Sequence, residues 1–151
     1  MSALARLVAS GFGSGYVRRA PGTAGSLLAL LIGAVLLWVG PTAVALAAAL
    51  AVLGGWWAVR AVQAGDDPGW VVADEFAGQW IALLGLARPT LAGLTAAFVL
   101  FRVLDIAKPG PVGWADRQHG PMGVMADDVI AGAIAAALLL LFRFVFPGIL
   151  D

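Results

Sequence analysis

The sequence contains no cysteine. Disulfides, thiolate metal sites and cysteine nucleophiles are excluded together, and the absence says nothing about compartment. A single histidine, His119, is present, so any centre that needs two imidazoles is excluded as well. Charge is sparse: 12% of residues carry it, and nine basic side chains balance nine acidic ones. A nucleic-acid-binding chain shows a basic patch. None is visible, so nucleic acid is not expected as a partner. No internal repeat occurs in the 151 residues, and no motif assigns an oligomeric state.

Hydrocarbon is abundant instead. Hydrophobic residues make up 62% of the chain, and the mean hydropathy is +0.95, against about 45–50% apolar residues in average soluble domains. The composition points to a membrane protein. Four clear apolar stretches cover about 24–39, 42–59, 90–107 and 127–146. A fifth, 70–87, is interrupted by Asp74 and Glu75. Each is close to the length of a bilayer crossing, and helices are the only open-ended elements that satisfy their backbone in lipid. The expected fold is an all-α polytopic bundle of about four to five transmembrane helices, forming one domain over 1–151. A polar loop is expected at 63–69 and a Gly/Pro-rich loop at 109–126. The N-terminus does not read as a cleaved signal peptide, because Arg6 interrupts its short apolar stretch. Leu4, Leu7, Val8 and Phe12 recur at helical spacing, which fits an interfacial helix.

Orientation follows from lysine and arginine. With the N-terminus in the cytoplasm, Arg6, Arg18, Arg19, Arg60, Lys108 and Arg117 fall inside, and Arg88 and Arg143 fall outside. The same topology gathers "GFGSGYVRRAPGTAGS", "ADEFAGQ", "FRVLDIAKPG", "RQHGPMG" and "ADD" at one face. The opposite loops, "GP" and "RPT", are too short to hold chemistry.

Three acidic centres lie near that face: Asp74/Glu75, Asp105 and Asp127/Asp128. Acids at membrane depth cost a few kcal/mol each on insertion scales, so a group of them implies cations. Asp127 alone is equally well read as the N-cap of the last helix. Asp105 is not, because it approaches a helix C-terminus, where the dipole disfavours negative charge. From Glu75, a helical face continues through Gly78, Gln79 and Ala82. From Asp128, one continues through Ala131, Gly132 and Ala135. Small stripes of this kind let helices approach closely, and the alternative is that they are packing surface only. Carboxylates without cysteine suit a hard cation such as Mg²⁺, which takes oxygen ligands and is often completed by substrate phosphate. Arg102, Lys108, Arg117 and Arg18 or Arg19 are candidate phosphate partners. Simple ion pairing with Asp105 is the other reading of Arg102 and Lys108. The glycine-rich first loop, with Ser14 and Thr23, is a candidate phosphate cradle or merely a flexible approach to the membrane.

The stretches "SGYVRRAPGTAGSL", "ADEFAGQWIAL" and "FRVLDIAKPGPVGWADRQHGPMGVMADDVIAG" resemble the phosphatidylglycerophosphatase A family, in matching order along essentially the whole chain. The resemblance implies a Mg²⁺-dependent lipid phosphatase of the bacterial inner membrane, and the lysine and arginine bias turns its expected active site to the cytoplasm. Its reaction takes phosphatidylglycerol phosphate to phosphatidylglycerol and inorganic phosphate. The family's acids match Asp74, Glu75, Asp105, Asp127 and Asp128. Its basic positions match Arg102 and Lys108, and its "PGT" matches Pro21, Gly22 and Thr23. The resemblance does not assign a step to each acid; Glu75, Asp105 and Asp128 are the first expected Mg²⁺ ligands, with Asp74 and Asp127 as ligands or general base. Arg102 and Lys108 are expected on the transferring phosphoryl group. Arg117, Arg19, Thr23 and Ser14 are further phosphate-binding candidates. His119 is either a proton donor to the leaving oxygen or an ordinary loop residue.

Rival chemistries lack their residues. There is no Cys-x5-Arg loop, no Asp-x-Asp nucleophile motif and no Asp-Gly-x-x-Ala-Arg run of the CDP-alcohol phosphotransferases. An ion-coupled transporter, using the acids as a cation site, is the alternative function. It predicts polar groups at both faces.

Overall fold

A computed structural model describes residues 2–63 and 68–150. The tip of the expected 63–69 loop, including Asp66 and Asp67, lies outside the described residues. Seven α-helices and no strand occur among the described residues: α1 (Ala3–Ala9), α2 (Pro21–Val39), α3 (Pro41–Ala61), α4 (Ala73–Leu83), α5 (Leu91–Ala107), α6 (Pro111–Asp116) and α7 (Gly120–Val145). A short 3₁₀ turn, Ser14–Tyr16, follows α1. The all-helical expectation holds.

Local chemistry sets the boundaries. Gly40, at φ +142°, ends α2, and Pro41 starts α3 at once, which folds two apolar helices back on each other. Thr90 caps α5 by accepting a hydrogen bond from the Gly93 amide at 3.1 Å. Lys108 ends α5 in the left-handed region at φ +48°, just before Pro109.

The centre of the bundle is a short element, α4. Eight of the eleven residues of α4 are buried, and α2, α3, α5 and α7 all pack against it. At about 1.5 Å per residue α4 is roughly 16 Å long, well short of a bilayer core. Three helices are long and apolar enough to cross a membrane: α2, α3 and α7. α5 has 17 residues, so the two shorter members of the expected five are α4 and α5. Leu31, Val35, Leu50, Leu53, Leu141 and Phe144 point outward from the three long helices and are exposed. Such apolar outer faces suit lipid rather than water.

Glycine brings α4 and α7 together. A Cβ on Gly132 would fall 2.3 Å from the Gly78 carbonyl oxygen, and one on Gly78 would fall 2.6 Å from the Asp128 carbonyl oxygen. The two small stripes seen in the sequence therefore face each other. Close approach of this kind is how helices gain van der Waals contact without a hydrophobic driving force.

Two expectations change. The 109–126 segment is mostly helical: it forms α6 and the first turns of α7. Pro111 and Pro121 act at helix starts, where a missing N–H costs nothing, rather than as breakers. Asp127 therefore lies two turns inside α7 and is not an N-cap. The N-terminal segment is helical over Ala3–Ala9, with Val8 turned to the core rather than outward with Leu4, Leu7 and Phe12. Ala5 and Ala9 pack with Ala58, Val59 and Val62, while Leu4, Leu7 and Phe12 are exposed.

Candidate active site

Four helix ends and α6 meet at one end of the bundle. α2, α4 and α7 contribute residues near their N-termini, and α5 contributes its C-terminal turns. All six acidic side chains among the described residues are here: Asp74, Glu75, Asp105, Asp116, Asp127 and Asp128. Asp74, Asp127 and Asp128 are buried, the last at 2% exposure.

The carboxylates form two overlapping groups. Asp74, Glu75 and Asp128 each bring one oxygen to within 4.8 Å of the others, and so do Asp105, Asp127 and Asp128. Asp128 belongs to both. The acids come from α4, α5 and α7, so the glycine-mediated approach of α4 to α7 is a precondition of the site.

The two basic residues at i−3 and i+3 from Asp105 do different things. Arg102 pairs with Asp105 at 2.5 Å, donates to the Ser26 hydroxyl at 3.3 Å and lies 4.0 Å from Glu75. It supplies the positive charge that an acid near a helix C-terminus requires. Lys108 leaves Asp105 alone. Its left-handed backbone turns it towards Asp127, at 2.9 Å, and it also bonds Asp116. Burial works against the ammonium, but the Asp116 and Asp127 carboxylates outweigh it and hold its pKa above that of an ordinary lysine.

Several buried polar atoms have no hydrogen-bond partner: Glu75 Oε2, Asp127 Oδ1, Arg102 Nε and both amide atoms of Gln79. Leaving a buried polar group unpaired costs about 1–3 kcal/mol, more when it is charged. Together with an all-oxygen donor set, the orphaned carboxylate oxygens fit a hard divalent cation. Gly22, in the first turn of α2, closes one wall. A Cβ there would fall 2.2 Å from Glu75 Oε1 and 3.5 Å from an Arg102 terminal nitrogen.

The other predicted residues lie as follows. Thr23 is half-buried in the first turn of α2, beside Gly22. Ser14 donates to the Gly11 carbonyl at 2.8 Å. Gly11 and Gly15 serve packing, since a Cβ on Gly15 would fall 2.0 Å from the Trp70 carbonyl oxygen and one on Gly11 would fall 2.6 Å from the Phe76 ring, whereas Gly13 faces open space at φ +93°. The first loop is thus a clasp on residues 70–76, and of the glycines in 11–26 only Gly22, in the first turn of α2, reaches the acids. Arg18, Arg19 and Arg117 are exposed and join none of the ion pairs described. His119 stands exposed at the N-cap of α7, two turns before Asp127. Sequence reasoning missed Ser26 and Asp116 and gave Gln79 no role. Ser26 had a readable signal, a hydroxyl one turn after Gly22 that, with Thr23, is one of two in an otherwise apolar helix. Asp116 had none, because its approach to Lys108 depends on the fold of α6.

An apolar helical bundle with a cluster of carboxylates and two basic side chains gathered at one end defines a membrane protein with a single polar centre. The family model for phosphatidylglycerophosphatase A matches residues 7–143, and the chain belongs to that family. It is 39% identical over 150 residues to the phosphatidylglycerophosphatase A of Escherichia coli strain K12, covering 96% of this chain and 87% of that protein. It is 36% identical over 143 residues to the protein of the same name from Haemophilus influenzae, covering 91% and 88%. A Bacteroides thetaiotaomicron protein, provisionally named a phosphatidylinositol-3-phosphatase, is 42% identical over 148 residues, covering 92% and 93%. No solved structure matches the chain. The chain is accordingly a phosphatase of this family, and the acidic end of the bundle is its candidate active site.

Proposed function

We propose that this protein hydrolyses the terminal phosphate of phosphatidylglycerol phosphate, releasing phosphatidylglycerol and inorganic phosphate, with Mg²⁺ as cofactor. The observation that carries the reading is the convergence of five carboxylates with Arg102 and Lys108 at one end of an apolar bundle. The reading places the protein in the bacterial inner membrane with this end towards the cytoplasm, supported by the excess of lysine and arginine on that side.

Asp74, Glu75, Asp105, Asp127 and Asp128 would hold the cation, which when bound supplies Lewis acidity to the phosphate and a more acidic water. Arg102 and Lys108 bring positive charge to the phosphoryl group. The acids that hold them also fix where that charge sits, so little reorganisation is needed when the substrate arrives. Ser26 holds Arg102 from the α2 side. The apolar outer faces keep the diacylglycerol part in the bilayer while the headgroup meets the acids.

A transporter is not favoured. Among the described residues no acid lies at the other end of the bundle, where a carrier would need a second polar face. The identity to a protein named for a phosphoinositide substrate makes the headgroup the point to test. Purified, detergent-solubilised protein is expected to release phosphate from phosphatidylglycerol phosphate with Mg²⁺ and not with EDTA. Phosphatidic acid and phosphatidylinositol 3-phosphate serve as competitors. Preference for phosphatidylinositol 3-phosphate would transfer the reading to that lipid, and release undiminished by EDTA would remove the metal from it.

A further inference from the structure

We propose that the site holds two divalent cations rather than one, with Asp128 as the ligand they share. The proposal rests on the reading of the acidic end as a phosphatase site and deepens it.

The geometry points to two positions. The groups Asp74–Glu75–Asp128 and Asp105–Asp127–Asp128 each satisfy a metal-sized spacing separately. Their only common member is Asp128, the most buried acid of the set. Among the described residues no basic side chain pairs with it, although Arg102 and Lys108 have settled on acids to either side. Asp127 gives Oδ2 to Lys108 and keeps Oδ1 buried without a partner, while the residue as a whole is 7% exposed. On the other side, Glu75 Oε2 is likewise buried and unpaired. Each group thus presents its own orphaned oxygen. One cation satisfies one of them and leaves the other.

Charge leads to the same number. Six carboxylates against Arg102 and Lys108 leave four negative charges in and around the pocket. One divalent cation leaves two, and the pocket then has to admit a doubly charged phosphate monoester against like charge. Two cations bring the pocket to neutrality before substrate enters. Paired divalent cations also suit a displacement in which both the attacking and the leaving oxygen carry charge.

The test uses Mn²⁺ in place of Mg²⁺, because Mn²⁺ is paramagnetic. The full-length protein in detergent is titrated with Mn²⁺ by equilibrium dialysis, and its electron paramagnetic resonance spectrum is recorded. Two Mn²⁺ per chain with a spin-coupled spectrum are expected. Asp74→Asn should leave one Mn²⁺ with an uncoupled spectrum, and Asp105→Asn should do the same from the other side. Asp128→Asn should weaken both sites by more than tenfold, with helical content unchanged by circular dichroism. A single uncoupled Mn²⁺ in the parent protein overturns the proposal. So does retention of both ions and their coupling in Asp128→Asn. Phosphate release is measured on the same samples, and it separates the two readings. One Mn²⁺ with full turnover removes the second cation and keeps the phosphatase. Two coupled ions without turnover on any lipid phosphate keep the dinuclear site and remove the phosphatase reading.

Discussion

The two ends of the bundle are built from the same helices and treat their polar groups in opposite ways. At the end opposite the site, polar atoms are satisfied within the chain. Thr90 donates to the Leu150 carbonyl at 2.7 Å while accepting from the Gly93 amide, and Arg143 donates to the Gly85 carbonyl at 3.1 Å. At the acidic end, five buried side-chain atoms lack partners, and acids outnumber bases. Unpaired buried polar groups destabilise a fold. Their concentration at one end sets the acidic centre apart from the rest of the bundle. One end holds the helices together, and the other gathers the unpaired polar groups.

The sharpest way to break this contrast is at Asp105. Asp105→Asn is expected to lower phosphate release by about 10³-fold, the scale of losing a major electrostatic contact to the transition state, while helical content by circular dichroism stays at the parent level. Near-normal turnover would take Asp105 out of the site.

Lys108→Met comes next. It strands Asp127 beside other acids, and turnover should fall by about 10²-fold. Stability should fall by about 1–2 kcal/mol, less than for a fully buried pair because the lysine is partly exposed. The sign of its pH dependence is set by the raised pKa. The pairing is complete below the ordinary lysine value of about 10.4 and is lost only as pH rises through the higher folded value. A rate profile between about pH 6 and pH 9 therefore contains no basic limb due to Lys108. Such a limb, present in the parent and moved by Lys108→Arg, would contradict the assignment.

Gly132→Val tests what the two ends share. Its side chain would meet the Gly78 carbonyl, and overpacking of this kind costs about 1–3 kcal/mol. Thermal unfolding in detergent should shift down and activity should fall with it, because the acids of α4 and α7 are spaced by that contact. Thr90→Val acts at the other end alone. Loss of the cap should cost about 1 kcal/mol and leave turnover per folded molecule unchanged; a parallel loss of turnover would show that the ends are coupled. The smallest effect is expected at His119. His119→Ala should change turnover by less than about threefold, whereas loss on the 10² scale of a general acid would make it the proton donor.

Much of this was legible without coordinates. Hydropathy and the Gly-Pro and Arg-Pro turns located the long helices, and the 3.6-residue period joined Glu75 to Gly78 and Asp128 to Gly132. The acids stood out because charge is so rare in this chain. Legibility failed where a residue's role depended on a neighbour distant in sequence. The prolines at 111 and 121 read as parts of a 109–126 loop, although each sits at a helix start. The first-loop glycines read as a phosphate cradle or a flexible approach to the membrane, although residues 70–76 occupy the space beside Gly11 and Gly15.

By itself the sequence determined that the protein is helical, that it suits lipid and that its acids lie at one end, because these follow from composition and from periodicity along single elements. Only the tertiary structure decided that Arg102 serves Asp105 while Lys108 turns away to Asp127 and Asp116. It alone brought Ser26 to Arg102 and made Asp128 common to two carboxylate groups. Those outcomes depend on which helices approach closely and at what height. That is fixed by glycine contacts such as Gly78 on Gly132, between residues 54 positions apart, and no local pattern encodes it.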